Sequence, residues 1–174
     1  MSRRLDLSLM ARAVQLAGRG RYTTKPNPVV GCVIASGDRV IGEGWHERAG
    51  EPHAEIHALS QAGAAAKGAT AYVTLEPCSH HGRTPPCVEA LILAGISRVV
   101  YAMVDPNPEV AGAGLEKLRR AGITVDGPVL EDQARELNRG FIRRHQHGMP
   151  WVTVKLAMSM DARTAMASCE SQWI

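Results

Sequence analysis

Two short stretches of the sequence decide how this chain is interpreted: residues 50–55 read GEPHAE, and residues 74–87 read TLEPCSHHGRTPPC. They supply one imidazole, from His53, and two thiols, from Cys78 and Cys87. A catalytic zinc ion uses this ligand set when it keeps its fourth position for water. The two stretches therefore predict a catalytic zinc site.

A carboxylate, Glu55, follows the histidine by two positions. Two thiolates cancel the formal charge of a zinc ion, so such an ion is a weaker Lewis acid than one held by three neutral histidines. It benefits from a neighbouring base that takes the proton of the water and passes it on. Residues i and i+2 lie on roughly opposite sides of a helix, so His53 and Glu55 can converge only in a first turn, which is where Pro52 places them. We therefore predict that Glu55 is the proton shuttle.

The spacing between the two cysteines is unusual. Zinc deaminases that hydrolyse an exocyclic amine from a nucleobase carry His-x-Glu followed by Pro-Cys, with two residues between the cysteines. Here eight residues, 79–86, separate them. Because both sulfurs must lie about 2.3 Å from one ion, this segment must leave the site and return, which predicts a lobe at the mouth of the pocket. In this lobe His80 and Arg83 can meet an anionic group, and Pro86 places Cys87 at a helix start, which favours a thiolate.

Each of these features also has a simpler interpretation. A single histidine at a helix start is most often a surface or capping residue, and a single cysteine is usually a small core residue. A structural zinc site is a further alternative, although it would need a fourth protein ligand. Two other functions stay open at this point: a zinc deaminase acting on another nucleobase or nucleotide, and an RNA-editing or nucleic-acid-binding module.

Strand-like and helix-like segments alternate on both sides of the two stretches. We predict strands over residues 29–35, 39–45, 70–75, 98–104 and 123–125, and helices over residues 6–19, 53–66, 87–94, 114–121 and 131–146. The first two strands form a hairpin, and the later strands alternate with helices. This order predicts a mixed sheet covered on both faces, which is a three-layer α/β/α sandwich.

The composition narrows the classes of function. The chain has 174 residues, 45% of them hydrophobic and 21% charged, with a formal net charge of +3. This charge is too small to imply a nucleic-acid partner, and one Phe and three Tyr offer few stacking platforms. No apolar run approaches the ~18 residues of a membrane span, and the N-terminus lacks the apolar segment of a secretory signal. We expect a cytoplasmic enzyme with a small-molecule substrate and no nucleic-acid or membrane partner, and we leave open whether it forms a homo-oligomer.

The chain resembles the riboflavin-biosynthesis deaminases, a branch of the cytidine-deaminase-like superfamily. The resemblance rests on the two opening stretches together with TKPNPVVGC at 24–32 and DPNPEVAG at 105–112, and the long spacing of the cysteines is specific to this branch. It implies a cytidine-deaminase-like α/β/α sandwich. It also implies hydrolysis of 2,5-diamino-6-ribosylamino-4(3H)-pyrimidinone 5′-phosphate to 5-amino-6-ribosylamino-uracil 5′-phosphate and ammonia.

The resemblance also implies residue roles. It assigns zinc to His53, Cys78 and Cys87 and proton transfer to Glu55. The residues that it places around the base, ribose and phosphate of the substrate are Asn27, His46, Arg83, Asp105 and Asn107, to which we add His80 of the lobe. Turn formation is an equally ordinary role for the Asp and Asn that follow a strand end, and a histidine that closes a strand is often a surface residue.

In this family the deaminase is commonly fused to a reductase that uses NADPH. We expect residues 1–148 to form the deaminase domain and residues 149–174 to resemble the truncated start of a dihydrofolate-reductase-like domain, with a strand over 151–158. Ala157, Ser171 and Trp173 match positions that contact NADP or substrate in that domain. Two residues, Ala162 and Cys169, depart from the family pattern because they stand where it usually has Gly.

We expect this chain to have the deaminase activity alone. A dinucleotide site needs several strands and a helix N-terminus, whereas residues 149–174 offer one predicted strand, so NADPH is not expected to bind. The tail is expected either to bury Trp151 and Leu156 against the deaminase domain or to stay partly disordered.

Overall fold

The computed structural model describes residues 2–80, 85–108 and 110–169. Its helices are α1 (Arg3–Gly18), α2 (Ala54–Ala62), α3 (Cys87–Leu93), α4 (Ala113–Arg120), α5 (Glu131–Leu137) and α6 (Arg139–His147), and a 3₁₀ turn covers Gly63–Ala66. Its strands are β1 (Gly31–Ser36), β2 (Arg39–Trp45), β3 (Thr70–Val73), β4 (Arg98–Tyr101) and β5 (Thr124–Asp126). In this part of the chain no helix combines the length and the apolar character needed to cross a bilayer.

The strands form one mixed sheet in the order β2-β1-β3-β4-β5. Strand β1 pairs antiparallel with β2 and β3, whereas β3, β4 and β5 run parallel to one another. Helices α1 and α5 pack together on one side, and the series α2, α3 and α4 covers the other. The predicted three-layer α/β/α sandwich with a mixed sheet is confirmed.

The central strands are buried on both faces, which is why they are aliphatic almost without interruption. Residues Cys32, Val33 and Ile34 of β1 and Val99 and Val100 of β4 are fully buried. A network of charged and polar side chains lies at the edge of this core. Its charged groups are paired with one another, as burial of charge requires.

The network joins the first helix to three strands. Tyr72 of β3 donates its hydroxyl to the Asp6 carboxylate at 2.8 Å, and Arg98 of β4 donates to both Asp6 oxygens at 2.8 and 3.0 Å. Arg98 also contacts Asp126 at the end of β5 at 2.6 Å. The hydrogen bond from Arg98 is the main cause that lowers the pKa of Asp6. The network therefore fixes α1 against the parallel half of the sheet.

The single helix predicted over residues 131–146 is wrong, because two helices meet at Asn138. The Asn138 side chain is buried and takes part in hydrogen bonds with Val29 N at 2.8 Å, Val29 O at 2.9 Å and Ala134 O at 3.2 Å. Asparagine can offer the backbone such alternatives to helical bonds. Here it interrupts the helix and joins its second half, α6, to the segment that leads into β1.

The strand predicted over residues 151–158 is also wrong. This part of the tail has no regular structure, and Val152, Val154 and Leu156 are 73%, 73% and 66% exposed. No described strand runs beside it, and both faces of the sheet are already covered by helices. The tail therefore does not bury Trp151, which is 47% exposed and contacts the Arg139 guanidinium at 5.1 Å from its ring centre. The domain boundary at residue 148 stays a prediction.

Ala162 and Cys169, the two residues that stand where the family usually has Gly, adopt the left-handed backbone conformation. The φ angles are 61° at Ala162 and 65° at Cys169, a region that glycine adopts without steric cost. The backbone thus has the conformation that the family's glycines would favour, although the side chains differ.

Helix α2 packs closely on β2 through a glycine. A Cβ atom added at Gly44 would lie 2.3 Å from the Ala54 carbonyl oxygen and 2.6 Å from the His57 Cβ. Because the nearest atom belongs to the backbone and cannot turn aside as a flexible side chain would, we expect Gly44→Ala to push the start of α2 away from β2 and to lower the free energy of unfolding by about 2–3 kcal/mol. Urea unfolding measures this loss.

The matched control is Gly18→Ala at the end of α1. A Cβ atom there would meet nothing within 4 Å, and alanine is the better helix former, so stability should be unchanged or slightly higher. Equal stability of both variants would show that α2 does not need this close approach.

Candidate active site

Three elements bring the predicted metal ligands together. His53 is the N-cap residue of α2, Cys87 is the first residue of α3, and Cys78 lies in the connection that follows β3. The His53 Nδ1 atom lies 3.1 Å from Cys87 Sγ and 3.5 Å from Cys78 Sγ. The ligand atoms of all three residues lie within 4.8 Å of one another, which is close enough to share one ion.

The chemistry of this donor set fits zinc. One imidazole nitrogen and two sulfurs form the ligand set of an open zinc site, and thiolates are the form that binds metal. Hydrogen bonds from Cys87 and His53 lower the pKa of Cys78 to about 4. The backbone N–H of Cys87 also donates to Cys78 Sγ at 3.3 Å, so a helix start supports this thiolate directly.

Glu55 lies in the first turn of α2, as its spacing from His53 predicts. It is buried, with 3% exposure, and it lines the same cavity as His53. Burial is the main cause that raises the pKa of Glu55 to about 7, and the nearby charge of Cys78 raises it further. A carboxyl group with a pKa near neutrality can both accept and donate a proton.

His53, Glu55 and Cys78 line one cavity of about 250 Å³, and Cys87 is not among its described lining residues. The sequence-predicted residues that line it are Asn27, His46, His53, Glu55, Cys78, His80, Asp105 and Asn107. Arg83, Ser171 and Trp173 lie outside the described residues. Ala157 is a partly buried residue of the otherwise exposed tail and is not among the described lining residues.

A pair of hydrogen bonds orients the amide of Asn27. The buried His46 contacts the Pro52 carbonyl oxygen through Nδ1 at 3.3 Å and the Asn27 Nδ2 through Nε2 at 3.2 Å. A carbonyl oxygen only accepts, so Nδ1 carries the proton and Nε2 accepts from the amide. Burial lowers the pKa of His46, which keeps this ring neutral. The Asn27 amide nitrogen thus faces His46 and its oxygen is turned away from that ring.

The loop after β4 has both a turn role and a pocket role. The Asp105 Oδ1 atom accepts from the backbone N–H of Asn107 at 2.8 Å, which is the turn geometry that the sequence left open. Both side chains nevertheless line the cavity. Burial raises the pKa of Asp105.

Sequence reasoning missed Glu76, which organises this loop. Its buried carboxylate accepts backbone N–H groups from Asp105, Gly112, Gly114 and Leu115 at 3.2, 2.9, 2.8 and 3.3 Å. The signal in the sequence was a charged residue at the end of an aliphatic strand. A carboxylate buried at such a position needs hydrogen-bond donors around it.

Sequence reasoning also missed Phe141 and His145 of α6, both of which line the cavity. Their rings lie 4.5 Å apart between centroids at an angle of 56°. The chain has a single Phe, four residues before a histidine, so helical spacing was the signal that could have paired them.

Comparison with known proteins places these observations in a family. Residues 3–103 match the family described as "Cytidine and deoxycytidylate deaminase zinc-binding region". The chain is 63% identical over 169 residues to the riboflavin biosynthesis protein RibD of Escherichia coli, covering 97% of this chain and 46% of that protein. It is 51% identical over 145 residues to the diaminohydroxyphosphoribosylamino-pyrimidine deaminase of Buchnera aphidicola from Acyrthosiphon pisum, covering 83% of this chain and 99% of that protein.

Solved structures agree with the sequence comparison. Acinetobacter baumannii RibD superposes with a TM-score of 0.93 at 58% identity, covering 98% of this chain and 48% of that chain. The chain thus spans about half the length of the RibD proteins that it matches.

The ligand assignment predicts different results for two buried cysteines. Replacing Cys87 by Ser removes one sulfur from the candidate metal group, so we expect zinc affinity to fall at least about tenfold. Cys32 is equally buried but lies inside β1, and Cys32→Ser should keep zinc. Zinc per chain, measured by elemental analysis after dialysis, tests both. Zinc lost from Cys32→Ser and retained by Cys87→Ser would refute the assignment.

Proposed function

The chain belongs to the cytidine and deoxycytidylate deaminase family and, within it, to the diaminohydroxyphosphoribosylaminopyrimidine deaminases, and we propose that it hydrolyses the 2-amino group of 2,5-diamino-6-ribosylamino-4(3H)-pyrimidinone 5′-phosphate. The products are 5-amino-6-ribosylamino-uracil 5′-phosphate and ammonia. The observation that carries this proposal is the convergence of buried Glu55 with a His/Cys/Cys group at one cavity.

His53, Cys78 and Cys87 are the residues that would hold zinc. When bound, zinc would act as a Lewis acid that lowers the pKa of a water molecule towards neutrality. The two thiolates explain why this chain also carries a buried carboxylate beside the group, since they neutralise much of the charge that would otherwise acidify water.

Glu55 moves the proton. Hydrolysis forms one C–O bond and breaks one C–N bond, and the two protons of water end on the ring nitrogen and on the departing amine. Glu55 accepts the first proton and delivers it to the neighbouring ring nitrogen. It then takes the proton of the new hydroxyl group and transfers it to the amine, which leaves as ammonia while the C–O bond becomes a carbonyl. A pKa of about 7 suits this double duty, because the group is neither a fixed anion nor a fixed acid at neutral pH.

Side chains around the cavity orient the substrate. The Asn27 oxygen, turned away from His46, is suited to accept from an amino or ring N–H of the pyrimidine. Asp105 and Asn107 offer acceptors and donors for the ribose hydroxyls, and their loop is held by Glu76. The lobe residues His80 and Arg83 are assigned to the anionic end of the substrate.

A deaminase of another nucleobase or nucleotide is the alternative that shares this chemistry. Two features favour the riboflavin branch: the eight-residue spacing between Cys78 and Cys87, and the high identity to deaminases of that pathway over most of the chain. A small-molecule partner follows from the family. The absence of nucleic-acid partners, the cytoplasmic location and the failure to bind NADPH stay predictions, and whether the chain forms a homo-oligomer stays open.

The most direct experiment follows the oxygen atom that replaces the amino nitrogen of the substrate. The protein is incubated with freshly prepared substrate in water labelled with heavy oxygen, and ammonia and product mass are measured together. The proposal expects one ammonia and one heavy oxygen atom per product molecule. Release of ammonia from cytidine or dCMP but not from this substrate would favour the alternative deaminase.

The proton-transfer role predicts a selective loss. Glu55→Gln keeps the size of the side chain and removes the base, so zinc content should be unchanged while kcat falls at least about a hundredfold. Glu51→Gln is the matched control, because Glu51 is exposed in the same segment and should leave kcat unchanged. Near-normal turnover by zinc-loaded Glu55→Gln would contradict the mechanism.

A further inference from the structure

The described residues that line the cavity include several carboxyl groups but no lysine or arginine. These carboxyl groups belong to Glu55, Glu76 and Asp105, and the groups among the described lining residues that can carry a positive charge are all imidazoles. These imidazoles belong to His46, His53, His80 and His145. A phosphate monoester is bound most strongly by cationic donors, and the imidazoles are the described lining side chains that can offer it a positive charge.

Two of the four imidazoles are already committed. His53 is a candidate zinc ligand, and His46 is held neutral between Pro52 and Asn27. His80 and His145 are left, and they come from different parts of the fold. His80 follows β3, whereas His145 belongs to α6, which lies beyond the residues 3–103 shared with the broader deaminase family.

The position of His145 is fixed by its own helix. Phe141, one helical turn earlier, contacts the imidazole with a ring separation of 4.5 Å. The helix itself is joined to the segment before β1 by the buried Asn138, which bonds both the N–H and the carbonyl of Val29. Val29 is adjacent to Pro28, another lining residue, so this wall is tied to the same segment that carries Asn27.

His145 shares the cavity with a candidate ribose ligand, as expected for a residue that contacts the phosphate attached to that ribose. Asp105, His80 and His145 line the same cavity. The pKa of Asp105 is raised mainly by burial and is partly lowered by the hydrogen bond from Asn107 and by the charges of the two imidazoles. Asp105 is a candidate ribose ligand, and in a ribosyl 5′-phosphate the phosphate is attached to the ribose. A group that meets the phosphate must therefore lie beside the groups that hold the sugar.

We propose that His145 is a substrate-binding residue whose imidazole contacts the 5′-phosphate of the ribosylated pyrimidine, with Phe141 as the residue that positions its ring. This inference rests on the proposed function. It assigns the recognition of the phosphate monoester in part to a helix outside the shared zinc-binding region. Deaminases that share only that region would not have this contact.

The test compares two substrates and three variants. His145→Gln removes the imidazole and should raise KM for the phosphorylated substrate about tenfold or more, with KM for its dephosphorylated analogue unchanged. His145→Lys supplies a positive charge at the same position and should recover much of the loss. His147→Gln is the matched control, because His147 lies on the same helix at an outer groove with Arg139 and Trp151 and should change neither KM.

Binding of ribose 5-phosphate and of ribose, measured by calorimetry, provides a readout that does not depend on turnover. Wild-type protein should bind ribose 5-phosphate more tightly than ribose, and His145→Gln should remove most of that difference. Equal losses on both substrates, no change in either, or no preference of the wild type for ribose 5-phosphate would overturn the inference. An inactive wild type that still shows the calorimetric difference would instead refute the proposed function alone.

Discussion

Bringing one imidazole and two thiols within 4.8 Å of one another is the constraint on which the rest of this structure depends. The three groups come from the starts of two helices and from the connection that follows the central strand β3, so the sheet and both helices must keep their relative positions. Each helix start also lends partial positive charge to the anionic groups gathered there. The fold thereby supports the Cys78 thiolate within a largely aliphatic core, while the hydrogen bond with Cys78 and burial raise the pKa of Cys87.

Close backbone contacts keep those positions fixed. Gly42 and Gly44 allow α2 to approach β2, since an added Cβ would lie 2.2 and 2.3 Å from carbonyl oxygens of that helix. Gly114 similarly brings the start of α4 against the Pro77 carbonyl, where an added Cβ would lie at 2.0 Å. The Glu76 carboxylate completes this arrangement by bonding the loop of Asp105 and the start of α4. The segment that carries Cys78 and the loop of Asp105 are therefore held together by direct contacts.

The parts of the structure that local chemistry determines could be predicted from the sequence. The His-x-Glu and Pro-Cys stretches identified the metal group and the buried carboxylate, and the alternation of strands and helices identified the three layers. The other features could not be predicted because they depend on contacts between residues that are distant in sequence. The break at Asn138 depends on a bond to Val29, which is distant in sequence, and Glu76, Phe141 and His145 reach the cavity only through the packing of α4 and α6. The alternation over residues 151–158 failed as a signal because no described strand runs beside it.

The measurement that tests the central claim most directly is a zinc titration of metal-free protein, with ammonia release from the freshly made pyrimidine phosphate as the readout. If His53, Cys78 and Cys87 form one catalytic zinc site, the rate should be negligible without metal, rise in proportion to added zinc and level off at one equivalent per chain. Magnesium, which prefers oxygen ligands, should not replace zinc. Metal-free protein that releases ammonia as fast as the zinc-loaded form would contradict the account.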